Sequence, residues 1–181
     1  LHYPLRRQRQ MCIRDRHTRM QIMVTMDVLH EIEGHESDGP GWGLDGGVRT
    51  GFGDEWLQIG PVKMFSDGSI LGTTAALTEE YACCQHHGYF QGDPEQMRER
   101  ALKAAASGWS LAIHAIGDAA VDFAIETLEM AVEKNGIPAM PHRIEHGGIV
   151  RPDQIERLRG QPIVVVPQPL FCLLYTSPSP R

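Results

Sequence analysis

One nine-residue stretch, Ser110 to Asp118, constrains the fold of this chain more than any other. A predicted helix ends before it at Gly108, and the short apolar run Leu111 to Ile113 leads directly to a polar residue, His114. A second predicted helix begins at the Gly-Asp pair that closes the stretch. A buried strand that ends in a polar residue just before a helix is the βα unit of an α/β fold, where chemistry lies at the carboxyl ends of the strands. His114 is therefore either a ligand or catalytic group, or a histidine that caps a core strand.

The same arrangement recurs at two other predicted strands. Lys63 lies near the end of an apolar run that is followed by the turn-forming sequence Ser66 to Ser69. His146 ends a short strand that begins at His142. Three chemically active residues at three strand ends favour one shared site over three unrelated core residues.

Predicted strands and helices alternate along the whole chain. The strands cover 20–26, 58–65, 110–114, 142–147 and 162–168, and the helices cover 27–36, 93–108, 118–135 and 152–160. This order predicts an α/β fold with parallel strands and helical crossovers. Both a doubly wound sheet and a (β/α)8 barrel satisfy it. The length suits one domain or part of a larger one.

Composition excludes several classes of protein. The formal charge of -6 argues against nucleic acid as a partner. No apolar run is long enough to span a membrane, and no secretory signal pattern is present. The adjacent Cys83 and Cys84 fit a reduced protein better than a disulfide framework, which predicts a cytoplasmic location.

The two ends differ from the rest of the sequence. Residues 1–16 are basic and unpatterned, and residues 6–16 resemble a translated transposase-type sequencing adapter. Residues 172–181 resemble the translation of the opposite adapter. The alternative is a basic arm and a Ser/Pro-rich tail. We expect both ends to be disordered artefacts, and residues 17–171 to be an internal piece of a longer protein.

Side-chain alternation along the predicted strands separates polar from apolar faces. Lys63 and His114 each lie opposite the bulky apolar residues of their strands, as expected for a barrel strand with helices outside it. Arg143 and Glu145 share a face, which predicts a structural contact between them, and His146 lies opposite. Two histidines near a lysine indicate a metal site, because neutral imidazole is a common ligand of zinc and similar divalent ions.

Lysine is an unusual member of such a set, because its ammonium has no lone pair and repels a cation. One possibility is that Lys63 pairs with Asp67 or binds an anionic group of a substrate. The other is that it reacts with carbon dioxide to give a carbamate that bridges two metal ions. The second requires a neutral amine, which burial favours by lowering the pKa of the amine.

Four stretches together resemble the amidohydrolase superfamily, and more narrowly its YtcJ-like branch, amidohydrolase family 3. They are Val62 to Ser69, Thr73 to Leu77 with Tyr81, His114 to Asp118, and Arg143 to His146. The resemblance runs in order through nearly all of residues 17–171.

The resemblance implies a (β/α)8 barrel that binds a divalent metal, most often one or two zinc ions, at its C-terminal face. Lys63 matches the family's bridging, carboxylated lysine on the fourth barrel strand, and His114 and His146 match its ligands on the fifth and sixth. The family also uses a His-X-His pair on the first strand and a proton-accepting aspartate on the eighth. Neither is present, so we expect a partial barrel, strands 3 to 7 of eight, that is inactive alone and carries no assignable catalytic residue.

The implied activity is metal-assisted hydrolysis of a non-peptide C–N bond in a small-molecule amide or formamide. The alternative is a non-catalytic metal- or ligand-binding barrel of the same fold. Five further residues are predicted near the site: Asp67 as a turn former or support for Lys63 or His114, Asp118 as a helix N-cap, Arg143 with Glu145, and Gln168 as a substrate contact. His86 and His87 are predicted to be solvated. The oligomeric state is left open.

Overall fold

The computed structural model describes residues 18–33 and 41–169. The two adapter-like ends lie outside the described residues, so their artefactual origin stays a prediction. No helix in the described part of the chain combines the length and the apolar character needed to cross a membrane.

The described elements follow the predicted alternation closely. In chain order they are β1 (Met20–Ile22), β2 (His30–Ile32), β3 (Gly41–Gly43), β4 (Leu57–Ile59), β5 (Val62–Phe65), α1 (Pro94–Ala106), β6 (Leu111–Ala115), α2 (Asp118–Asn135), β7 (His142–His146), α3 (Pro152–Leu158) and β8 (Ile163–Pro167). Two short 3-10 turns, Met26–Val28 and Asp45–Gly47, complete the set among these residues.

The central sheet contains β5, β6, β7 and β8, all parallel and in sequence order within the described residues. A doubly wound sheet reverses its strand order at a switch point, whereas a barrel adds each new strand beside the last. The structure therefore favours the barrel over the doubly wound alternative. The described residues form an open part of such a barrel and do not close it.

The chain before β5 extends this sheet by one more parallel neighbour. The Lys63 amide donates to the Val24 carbonyl at 2.7 Å, and the Gly60 amide donates to the Ile22 carbonyl at 2.7 Å. β1 pairs in parallel with β4, so the predicted strand 20–26 lies beside the predicted strand 58–65. The latter is two strands in the structure, because Gly60 and Pro61 interrupt it.

The core lies between the sheet and the helices. Val62, Leu111, Ile113 and Ile144 are fully buried on one face of the sheet and belong to one hydrophobic cluster with the apolar residues of α1 and α2. The N-terminal cap of α1 is the one expected from the sequence. Its N-cap Asp93 accepts a hydrogen bond from the Gln96 amide at 3.0 Å, and a proline follows it.

The predicted helix 27–36 is wrong over its described part. A single 3-10 turn is followed by β2, which pairs antiparallel with β3. Two apolar residues three apart were too weak a signal for a helix. The pairing with β3 is stabilised from outside the segment, since Trp42 is buried and its carbonyl accepts a hydrogen bond from the Trp109 indole at 3.1 Å. Residues 34–36 lie outside the described residues.

The buried His142 at the start of β7 makes stability depend on pH. Its Nδ1 accepts a hydrogen bond from the Leu111 amide at 3.0 Å, and burial lowers its pKa from 6.5 to about 4. A histidine with a depressed pKa stays neutral in the fold but binds a proton when unfolded. Its contribution is therefore intact above pH 6.5 and is lost as pH falls toward 4, by about 3 kcal/mol in total.

We expect urea denaturation between pH 7 and pH 4 to show this loss. The matched control is His142→Asn, whose amide oxygen can still accept from the Leu111 amide but does not titrate. An equally steep loss of stability in the asparagine variant would assign the acid sensitivity to other groups.

Candidate active site

The strand register places the predicted site residues of β5, β6 and β7 on one face of the sheet. Lys63 pairs with Ala112, and Ala112 pairs with Arg143. One layer nearer the carboxyl ends of the strands, His114 pairs with Glu145. Paired residues in a sheet point to the same face, so the side chains of Lys63 and His114 point away from the helices, as predicted.

His146 joins this group by an exception to strand alternation. It is the last residue of β7, and alternation from Glu145 would turn it to the helix-covered face. Its φ of 76° is in the left-handed region, and its ring lies 4.6 Å from the His114 ring, centroid to centroid, at 71° between planes. For a residue other than glycine this conformation costs on the order of 1–3 kcal/mol, a strain that is typical of functional sites.

The two ring nitrogens of His114 have different environments. Nε2 lies 2.9 Å from the Gly68 carbonyl oxygen, which only accepts, so the proton is assigned to Nε2. Nδ1 is buried and has no hydrogen-bond partner among the described residues. Burial lowers the pKa of His114, and this outweighs the opposing effects of Gly68 and Asp67. His114 is therefore neutral and presents an unused lone pair on Nδ1, which fits a metal ligand.

Lys63 is partly buried beneath the two histidines. Burial lowers the pKa of its amine, Glu145 raises it and Arg143 lowers it further, with a net decrease. Its Nζ lies 5.1 Å from the centroid of the Phe65 ring. The ring favours the charged ammonium, but the net decrease in pKa, caused mainly by burial, favours the neutral amine that a carbamate requires. No ion pair joins Lys63 to Asp67 in the described structure, so the predicted Lys63–Asp67 pair is wrong. The other possibility, that Lys63 binds an anionic group of a substrate, stays a prediction.

Asp67 was predicted either to form a turn or to support Lys63 or His114, and in the structure its buried carboxylate connects two loops. Its carboxylate accepts hydrogen bonds from the backbone amides of Ala76 at 3.0 Å, Gly117 at 2.8 Å and Ile116 at 3.1 Å. Burial raises the pKa of this carboxyl, and the three bonds oppose the increase. Its Oδ1 also lies 3.5 Å from His114 Nε2, so Asp67 supports the ring from the side away from Nδ1.

Asp118 does not cap α2, because Gly117 is the N-cap. Asp118 is the first helical residue, and its carboxylate accepts from the Thr78 amide at 2.9 Å, from the Thr78 hydroxyl and from Arg151 at 2.9 Å. Burial raises the pKa of this carboxyl, but these partners outweigh it and the net shift is downward. Asp118 thus anchors the long loop and α3 to α2.

The remaining predicted residues have three different environments in the structure. Arg143 donates to Glu145 at 2.7 Å, the contact expected from their shared face. Gln168 is exposed and borders a cavity beside His146. His86 and His87 are exposed on the long loop, as predicted. No sequence pattern indicated the roles of the Gly68 carbonyl and of Arg151, because these depend on contacts with His114 and Asp118, more than thirty positions away.

The described residues hold only part of a metal-binding set. Within 18–33 and 41–169, no three side chains of the His, Cys, Asp and Glu types lie close enough to hold a metal ion by themselves. His114 and His146 supply two imidazoles, and Lys63 supplies an amine on the same face. The donor chemistry fits a divalent metal provided that further ligands complete the set.

Sequence and structure together define the class: an α/β barrel segment with two histidines at the carboxyl ends of its strands and a lysine one layer below them. A sequence model of the amidohydrolase family matches residues 15–175. The chain belongs to this family, amidohydrolase family 3, and to its YtcJ-like branch. It is 32% identical over 117 residues to "Putative amidohydrolase YtcJ" of Bacillus subtilis strain 168, covering 64% of this chain and 22% of that protein.

Another relative is "Protein LONG AFTER FAR-RED 3" of Arabidopsis thaliana, 37% identical over 116 residues, which cover 64% of this chain and 20% of that protein. The chain therefore spans about a fifth of the length of these relatives.

Two crystal structures of uncharacterized metal-dependent hydrolases are similar in fold. The protein from Pyrococcus horikoshii OT3 is 34% identical with a TM-score of 0.61, covering 71% of this chain and 25% of that one. The protein from Pyrococcus furiosus is 33% identical with a TM-score of 0.59, covering 71% and 26%.

Proposed function

We propose that this chain is part of a metal-dependent amidohydrolase that hydrolyses a non-peptide C–N bond in a small-molecule amide or formamide. The observation that carries the proposal is the buried, unpartnered Nδ1 of His114. Its ring is in contact with that of His146, and a lysine with a lowered pKa lies on the same face of the sheet. A buried lone pair without a partner is uncommon in proteins and is explained by a ligand.

His114 and His146 would hold the metal, which we take to be zinc, and a carbamate on Lys63 would complete the ligands that this chain provides. The chemistry that a divalent metal supplies in such a site is a lower pKa for a water molecule and polarisation of a carbonyl group. Two histidines and a carboxylate-like oxygen donor are a ligand set that suits zinc.

The neighbouring residues position these groups. The Gly68 carbonyl holds the Nε2 proton of His114 and so directs Nδ1 toward the site. The Arg143–Glu145 pair places a positive and a negative group beside Lys63, whose pKa they shift in opposite directions. We assign no general base to any described residue of this chain, since Asp67 and Asp118 are both committed to structural hydrogen bonds.

A non-catalytic metal- or ligand-binding barrel is the rival function, and metal removal separates the two. In the complete protein that carries this chain, we expect a chelator to abolish amide hydrolysis and added zinc to restore it. Replacing His114 or His146 by asparagine should reduce metal affinity by about 100-fold or more, because loss of a residue that only hydrogen-bonds to a ligand already costs about 10- to 100-fold. The measurements are metal per chain and hydrolytic rate.

The matched control is His87→Asn. His87 is exposed, and among the described residues it makes no hydrogen bond to Lys63, His114 or His146. It should change neither quantity. Full metal binding without hydrolysis of any amide would favour the rival function. Unchanged metal affinity in both site variants would exclude these histidines as ligands.

A further inference from the structure

A cavity of about 200 Å³ opens beside His146. Its walls come from the segments that follow β5, β6, β7 and β8, so it lies at the same end of the sheet as His114. The residues that line it include Ile70, Leu71, Ile116, His146, Pro167 and Gln168.

The walls of this cavity are mainly apolar. No Asp, Glu, Lys or Arg side chain lines it among the described residues, and its polar side chains are those of Ser69, His146 and Gln168. The Ser69 hydroxyl already accepts a hydrogen bond from the Gly72 amide at 3.1 Å. A charged group placed there would lose hydration without gaining a counter-ion among the described side chains, whereas an apolar group would leave water at no such cost.

The wall between β6 and β7 is closely packed. The Ile149 amide donates to the Ile116 carbonyl at 2.8 Å, which joins the two turns. A Cβ at Gly148 would lie 2.9 Å from Cγ2 of Ile116, so only glycine permits this approach. On this side the cavity is bounded by the turns after β6 and β7, which are hydrogen-bonded to each other. The cavity is therefore present without a ligand.

We propose that this cavity binds an apolar, ring-sized substituent of the substrate. This inference rests on the proposed function and narrows its substrate class to amides that carry such a group. A dry cavity of about 150 Å³ accommodates benzene, so 200 Å³ accommodates a six-membered ring with one or two further carbons. His146 borders the cavity and also contacts His114, which puts the substituent next to the position of the reacting carbonyl.

The direct test uses this chain and fluorobenzene, which contains no amide and needs no metal. We expect saturable binding by ¹⁹F NMR and intermolecular NOEs from the ring to the methyl groups of Leu71 and Ile116. Trifluoroacetate, a charged probe, should not bind. Leu71→Asp should weaken fluorobenzene binding by about tenfold or more, a change typical of one altered apolar contact in such a site.

The matched control is Ile137→Asp, because Leu71 and Ile137 are 79% and 75% exposed but only Leu71 borders the cavity. Absence of saturable binding to the wild-type chain, or NOEs to other residues, would overturn the inference, and neither result depends on how Leu71→Asp folds. Equal weakening by both variants would also overturn it. Because neither metal nor hydrolysis enters this test, its outcome is independent of the proposed function. Fluorobenzene binding by this chain, together with no metal-dependent amide hydrolysis by the complete protein, would refute the proposed function and leave only an apolar binding site.

Discussion

Replacing Lys63 by alanine in the complete protein is expected to remove most of the bound metal and nearly all hydrolysis. Two divalent ions held close together repel each other, and a bridging anion offsets that repulsion. The imidazoles of His114 and His146 carry no negative charge, whereas the Lys63 amine would become an anion by adding carbon dioxide and releasing a proton, as the proposed function requires. The lowered pKa of Lys63, caused mainly by burial, favours this reaction because only the neutral amine is nucleophilic.

The test compares metal per chain and hydrolytic rate in wild type, Lys63→Ala with and without acetate, and Lys63→Arg. Acetate should restore part of both quantities in the alanine variant by placing a carboxylate in the vacated space. Arginine should fail, since its guanidinium stays charged and does not form the carbamate. Full metal content and activity in Lys63→Arg would show that Lys63 acts only as a positive charge.

Replacing Asp67 by alanine is expected to destabilise the fold by on the order of 3 kcal/mol or more. The change leaves the backbone amides of Ala76, Ile116 and Gly117 without their acceptor, and each unsatisfied buried donor costs about 1–3 kcal/mol. Urea denaturation of this chain measures the loss. We also expect the loop after β5 to separate from the turn after β6, which would increase hydrogen exchange at those three amides.

Asp45→Ala is the matched control. The Asp45 side chain is 97% exposed and its ion pair is with the exposed His30, so the change should lie within about 1 kcal/mol. A loss for Asp67→Ala as small as that of the control would mean that water replaces the carboxylate, and that Asp67 does not hold the two loops together.

The sequence predicted the elements of the sheet well and its connections less well. The strand patterns of β5 to β8 and the capping sequence before α1 are local signals, and the structure confirms them. The pairing of β2 with β3 and the break at Gly60 depend on partners distant in sequence. A pattern of apolar residues carries no information about such partners, which is why the helix predicted over 27–36 was wrong.

For the candidate site, the sequence by itself determined that Lys63 and His114 share a face, because side-chain alternation is a property of the extended backbone. Only the tertiary structure decided three other features. The first is the barrel-type order of the strands, and the second is the left-handed conformation of His146, which brings its ring to His114. The third is the contact with the Gly68 carbonyl, which assigns the His114 proton to Nε2. Each of these depends on packing between segments that lie far apart in the chain, and strand periodicity does not encode it.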